Sequence, residues 1–84
     1  MLSERKYTAP PTLRVLDAAD IGGMIYLRRK ELGYTQEQLA ALMGMSPRLL
    51  GEIEHGKKTT GIQKVLDLIT ALGIDTVLSV RSKS

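Results

Sequence analysis

At 84 residues the chain holds one domain, close to the size at which a single core stops being self-sufficient, so help from a partner chain is expected. It has no cysteine, which excludes a disulfide scaffold and thiolate metal sites. No apolar run reaches the ~20 residues of a membrane span or forms a signal peptide behind the basic SERKY stretch, so a cytoplasmic protein with no membrane partner is expected. A net charge of +3 permits a polyanion partner without demanding one, and three tyrosines are too few for the stacking platforms of single-strand binders.

Residues 1–16, with consecutive prolines in APP and scattered charge, read as a flexible arm. Within it TLRVL has the composition of a short strand. Arg5, Lys6 and Arg14 are either mobile charge or reach for a minor groove. Asp17 then has the chemistry of an N-cap, with Asp20 at the amide end of the helix dipole, and a helix is predicted from Ala18 to Leu32. Its apolar stripe is Ile21, Met24, Ile25 and Leu32, and Gly33 supplies the left-handed stop. Gly22-Gly23 inside it costs roughly 1 kcal/mol per glycine, which implies close packing on that side or a frayed start. Arg28, near the apolar stripe, is expected to snorkel outward.

Thr35 opens the next helix with Gln38 in the capping-box position; Leu39, Ala40, Leu42 and Met43 form its inward face and Gly44 ends it. Ser46 caps a third helix, Pro47 is a favourable first helical residue, and the helix runs to His55 before Gly56 closes it. A basic KKTT loop leads to a fourth helix marked by Ile62, Val65, Leu66, Ile69 and Leu72, ending at Gly73. Beyond it IDTVLSV alternates with period two and reads as a strand. A lone strand leaves its backbone unpaired, so its partner is either the same strand of a second copy, through Thr76, Val77, Leu78, Ser79 and Val80, or the N-terminal TLRVL. The chain thus divides into the arm (1–16), a helical domain (17–73) and a strand with a short tail (74–84).

The two short helices separated by GMS have the length and turn chemistry of a helix-turn-helix, a pattern that helical proteins with no nucleic-acid role also contain. LRRKELGYTQEQLAALMGMSPRLLGEIEHGKK resembles the Xre (Cro/repressor) class, whose usual run LGYTQEQLAALMGMS and IEHGK match nearly position for position. The continuation TTGIQKVLDLITALGIDTVLSV is similar to HipB-like antitoxins. This resemblance implies an all-α, lambda-repressor-like DNA-binding domain of four to five helices, with one C-terminal β-strand paired across a homodimer. It also implies a repressor that places one recognition helix per subunit in successive major grooves of a palindromic operator, autoregulates its operon and neutralises a HipA-like, kinase-like toxin. The toxin rests on resemblance alone. A helix of about eight residues is ~12 Å long, which suits a major groove ~12 Å wide.

With Leu50, Ile53 and Glu54 inward, the 100° advance per residue turns Arg48, Glu52 and His55 outward, with Gly51 beside them and Leu49 on the flank. Arg48 either bonds guanine O6 and N7 together, worth ~1 to 3 kcal/mol of discrimination, or holds a phosphate. Leu49 covers a thymine methyl or packs on the second helix; Glu52 accepts from a cytosine amine or fixes the Arg48 rotamer. Thr35 and Gln36 match positions that hold a backbone phosphate in the resembled class, and free amides at a helix N-terminus attract anions in their own right. Ser46, Lys57 and Lys58 are further phosphate candidates, with capping and simple solvation as their plainer roles. By the same resemblance Arg29 and Glu54 form a structural ion pair between the first and third helices.

His55 is the only histidine, so neither a metal site nor a cofactor is expected. Ser46 and His55 sit at opposite ends of one helix without an orienting acid, and the chain reads as non-enzymatic. Two other functions compete: a toxin-binding module with little base readout, favoured by Pro47 and Gly51, and a stand-alone Xre-type regulator such as a restriction-system controller.

Overall fold

In the computed structural model, residues 7–58 and 61–82 are described. Four helices follow one another, α1 (Ala18–Leu32), α2 (Gln36–Met43), α3 (Pro47–Glu54) and α4 (Ile62–Ala71), and the boundaries of the first three have local causes. At α1 the Asp17 carboxylate accepts from the Ala19 and Asp20 amides, while the Asp20 carboxylate accepts from the Asp17 amide and, at 2.7 Å, from Leu16. Two helical N–H groups and two from the approaching chain are satisfied by one reciprocal pair of acids. Thr35 and Gln38 repeat the device at α2, where each side chain accepts from the other's amide, and Ser46 caps α3 ahead of Pro47. Gly33 and Gly44 adopt φ values of 86° and 68°, the left-handed conformation in which a side chain would be strained. α4 starts from Gly61 without a side-chain cap.

The core is formed by Ile25, Leu39, Ala40, Leu50, Ile53, Leu68, Ile69 and Leu72, with Ile21, Met43, Met45, Leu49, Val65 and Ile74 packed around it. Three residues expected on inward faces lie outside: Leu32, Leu42 and Ile62 are exposed. In α4 the buried phase is Val65, Leu68, Ile69 and Leu72, a run of i, i+3, i+4 and i+7 that includes the fully buried Leu68. Ile62 is the first residue of that helix and projects past the core. Leu42 falls between the buried Ala40 and the packed Met43, on the solvent side of a two-turn helix.

Gly22 is where α1 meets α3. A methyl group there would overlap the backbone carbonyl oxygens of Ile53 and Glu54, whereas Gly23 faces open space. The first glycine therefore supports close helix packing, and the second does not. Arg28 does not snorkel into solvent as expected. Its Nε donates to the Leu72 carbonyl at 2.8 Å and its Nη1 to Glu31 at 3.1 Å, so it satisfies the C-terminal end of α4 and joins it to α1.

The expected C-terminal strand is not formed. Among the described residues there is no strand at all, and 74–82 runs as irregular backbone beyond Gly73. The partner proposed within the chain, TLRVL, is likewise irregular, with Leu13, Val15 and Leu16 exposed. A strand exists only through hydrogen bonds to a neighbour, and a single chain provides none here.

Candidate nucleic-acid interface

Leu50, Ile53 and Glu54 are buried and point α3 inward, which leaves the opposite face of the helix to solvent. Arg48 lies on that face, its side chain 88% exposed. Its Nε lies 3.4 Å from Glu52, one turn on. Glu52 also receives Lys57 Nζ at 3.4 Å, so one carboxylate stands between two cations. The geometry is that of a residue holding its neighbours' rotamers, at the modest strength of exposed pairs. Leu49 is half-buried and packs against the core margin. His55 closes the helix, and its Nδ1 lies 2.7 Å from the Gly51 carbonyl, which directs Nε2 outward. Ser46 is exposed with its hydroxyl engaged in the α3 cap.

Beneath this face lies a polar network. Arg29 is 5% exposed and Glu54 8%, and the pair is bidentate: Nε to Oε2 at 2.6 Å and Nη2 to Oε1 at 3.1 Å. The remaining guanidinium nitrogen, Nη1, donates to the Tyr34 carbonyl at 2.8 Å. Burial of two charges is tolerable only when both are fully partnered, and no buried side-chain nitrogen or oxygen among the described residues lacks a partner. The expected tie between the first and third helices is present.

The network extends further than the sequence reading supposed. Gln36, the first residue of α2, turns across α3 and donates from Nε2 to Glu54 Oε1 at 3.0 Å. It crosses above Gly51, where an added Cβ would sit 3.4 Å from Nε2. The signal for this was present as a glycine three residues before an inward glutamate, but a gap is not recognised until something fills it. Gln36 and the outer residues of α3, from Pro47 and Arg48 to Gly51, Glu52 and His55, line one shallow depression with Lys57 at its edge. Thr35 stays beside it as the exposed cap of α2, and Lys58 is exposed beyond Lys57.

The N-terminal segment also makes a contact that patterning did not suggest. The Tyr7 ring meets Tyr26 edge-on, with centroids 5.8 Å apart, and Lys30 Nζ lies 4.9 Å from the Tyr7 centroid. The Tyr26 hydroxyl is held above its ordinary acidity range, first by hydrogen bonding with the Tyr7 side chain and then by desolvation. Arg14 is exposed; Arg5 and Lys6 lie outside the described residues. Among the described residues no three His, Asp or Glu side chains cluster as metal ligands, and no helix is long and apolar enough to cross a membrane.

A family model described as Helix-turn-helix (HTH_3) matches residues 25–78. The HTH-type transcriptional regulator y4mF of Sinorhizobium fredii is 38% identical over 60 residues, 71% of this chain and 79% of that protein. YazB of Bacillus subtilis, another HTH-type transcriptional regulator, is 37% identical over 59 residues, 70% of this chain and 86% of that one. Among solved structures, the restriction-modification controller protein C.AhdI from Aeromonas hydrophila aligns with a TM-score of 0.61 and 32% identity, covering 70% of this chain and 86% of its own.

Proposed function

The chain belongs to the helix-turn-helix family of transcriptional regulators, and from that premise we propose that it binds a palindromic operator as a homodimer and represses its own operon. The observation that carries this reading is the outer face of α3. Arg48, its side chain 88% exposed, stands at an open depression with Lys57 at its edge, while the opposite face of the same helix is sealed by Leu50, Ile53 and Glu54. A guanidinium so placed enters a major groove first and pairs with guanine O6 and N7. Lys57, Lys58, Thr35 and Ser46 border that face and supply the phosphate contacts that set register. Leu49 reaches a thymine methyl only from the flank. Glu52 acts chiefly by holding Arg48.

Two copies are supported by the segment 76–80, whose Val77, Leu78 and Val80 side chains are 81%, 93% and 96% exposed. Pairing Thr76, Val77, Leu78, Ser79 and Val80 with the same residues of a second chain around a two-fold axis covers them and satisfies their backbone. As to the operon served, the 32% identity with a restriction-modification controller favours a stand-alone regulator. The HipB-like resemblance of the C-terminal third favours an antitoxin of a HipA-like kinase; the neighbouring reading frame decides between them.

Binding to the duplex upstream of its own gene, compared with a scrambled duplex at physiological salt, tests the proposal. A preference of ~10³-fold or more is expected. Arg48→Ala should reduce it roughly 5- to 150-fold while leaving thermal unfolding unchanged. A wild-type ratio near one overturns the reading.

A further inference from the structure

The outer face of α3 lacks the side chains that ordinarily read adenine: Pro47, Leu49 and Gly51 stand where carboxamides are useful, and the helix contains no asparagine or glutamine. One carboxamide nevertheless lies on that face, and it comes from α2. We propose that Gln36 reads a base, as an amide lent to the recognition helix through the gap at Gly51 and fixed there by the buried Glu54. This rests on the operator-binding reading and reassigns Gln36 within it, from a phosphate contact to a specificity contact.

Three observations carry it. First, the side chain does not extend away from the N-terminus of α2 toward a flanking strand; it crosses α3, with its amide atoms 3.4 to 3.9 Å from the Cβ position of Gly51. Second, one N–H is spent on Glu54 Oε1 at 3.0 Å, and that carboxylate is itself immobilised by two bonds from Arg29. The rotamer is therefore set before DNA arrives, and little ordering cost remains to be met on binding. Third, the same amide makes no other hydrogen bond among the described residues, which leaves a carbonyl oxygen and a second N–H open to the depression beside Arg48. An acceptor next to a donor matches the N6 and N7 edge of adenine. A phosphate offers acceptors only, so it would use the free N–H and leave the Gln36 carbonyl oxygen without a donor.

Gly51 is what makes the crossing possible, and its tolerance is graded. The Cβ of an alanine would sit at ordinary contact distance from the Gln36 amide, so Gly51→Ala keeps the arrangement. The two γ-carbons of a valine require the space that the amide occupies, so Gly51→Val expels it. Gln36 is the contacting residue; Glu54 and Gly51 position it.

The experiment is selection from a randomised duplex library with the full chain, followed by the same selection with Gln36→Ala, Gly51→Ala and Gly51→Val. Alongside it, proton exchange of the Gln36 side-chain amide is followed by NMR in the free protein. Wild type is expected to enrich a two-fold motif containing an A·T pair beside the position that Arg48 specifies. Gln36→Ala should erase preference at that pair by roughly 5- to 150-fold and leave the other positions intact. Gly51→Ala should keep the motif and the slowed exchange, and Gly51→Val should lose both while Arg48's position persists. If Gln36→Ala weakens every sequence evenly under an unchanged motif, Gln36 is a phosphate contact and the proposal is overturned. Fast amide exchange in wild type overturns the anchoring by Glu54. Enrichment of no motif by wild type instead defeats the operator reading itself.

Discussion

The junction of α1, α2 and α3 and the segment after Gly73 treat their polar and apolar groups in opposite ways. At the junction one carboxylate, Glu54, takes hydrogen bonds from Arg29 and Gln36, so that three helices share a polar centre in which no buried side-chain nitrogen or oxygen of the described residues is left unpaired. In the segment, Val77, Leu78 and Val80 stand in solvent and the backbone forms no ladder. A helix satisfies its own backbone, so its remaining task is to bury one face, and even an ion pair can be buried if its geometry is complete. An extended segment cannot satisfy itself. Its order has to come from another strand, and the described residues supply none.

The largest effect expected from this contrast is at the junction. Glu54→Ala leaves the Arg29 guanidinium buried with the Tyr34 carbonyl as its one hydrogen-bond partner among the described residues, and such a loss typically costs ~3 to 5 kcal/mol. In a chain this small that is a large part of the whole stability, and urea unfolding should show it directly. A loss below ~1 kcal/mol would mean that water or a neighbouring group replaces the carboxylate, and the contrast would be weaker than drawn.

At the other extreme, truncation after Asp75 removes Val77, Leu78 and Val80, which are almost wholly exposed. The stability of the isolated subunit should then change by no more than ~0.5 kcal/mol, the range of surface substitutions. Light scattering should nevertheless shift from dimer to monomer, with weaker operator binding. An unchanged dimer would move the interface elsewhere on the molecule and leave the exposed valines and leucine without a role.

What could be foreseen follows the same division. Helix ends were legible because their causes are local: Asp17, Thr35 and Ser46 cap, Gly33 and Gly44 turn left-handed, and each signal lies within a few residues of its effect. The outward set on α3 followed from the period once Leu50, Ile53 and Glu54 were taken as inward. In α4 Val65, Ile69 and Leu72 were legible as core but Leu68 was not, because Ile62 and Leu66 fit a helical stripe almost as well, and only packing against the rest of the core chooses between them. Gln36's crossing, Arg28's bond to the Leu72 carbonyl and the Tyr7 contact join residues 18, 44 and 19 positions apart. No window along the chain contains both partners of such pairs. The strand failed for another reason, since alternation specifies a face and not a neighbour.

The smallest expected effect concerns the one stretch that lies between these extremes. Residues 7–17 are irregular like the C-terminal segment, yet Tyr7 finds a partner inside the chain in Tyr26, with Lys30 over its ring and Arg29 5.4 Å from the centre of the Tyr26 ring. Hydrogen bonding with Tyr7 is the main cause that raises the Tyr26 pKa above 10.0; desolvation, the Tyr7 charge and Glu54 add to it, and Arg29 opposes it. A phenol is neutral when protonated, so a raised folded-state value means that the fold favours the protonated form. That stabilisation is complete below pH 10 and is lost as pH rises through the raised value. The preference for the protonated phenol therefore holds throughout the neutral range and is lost only in alkali, so the contact is no physiological switch. Following the Tyr26 ring resonances through an alkaline titration should show a midpoint above 10.0 in wild type, and Tyr7→Phe should return it toward that value with little change in thermal unfolding. Coincident midpoints in the two proteins would show that the ring contact, rather than the hydrogen bond, holds the arm on α1.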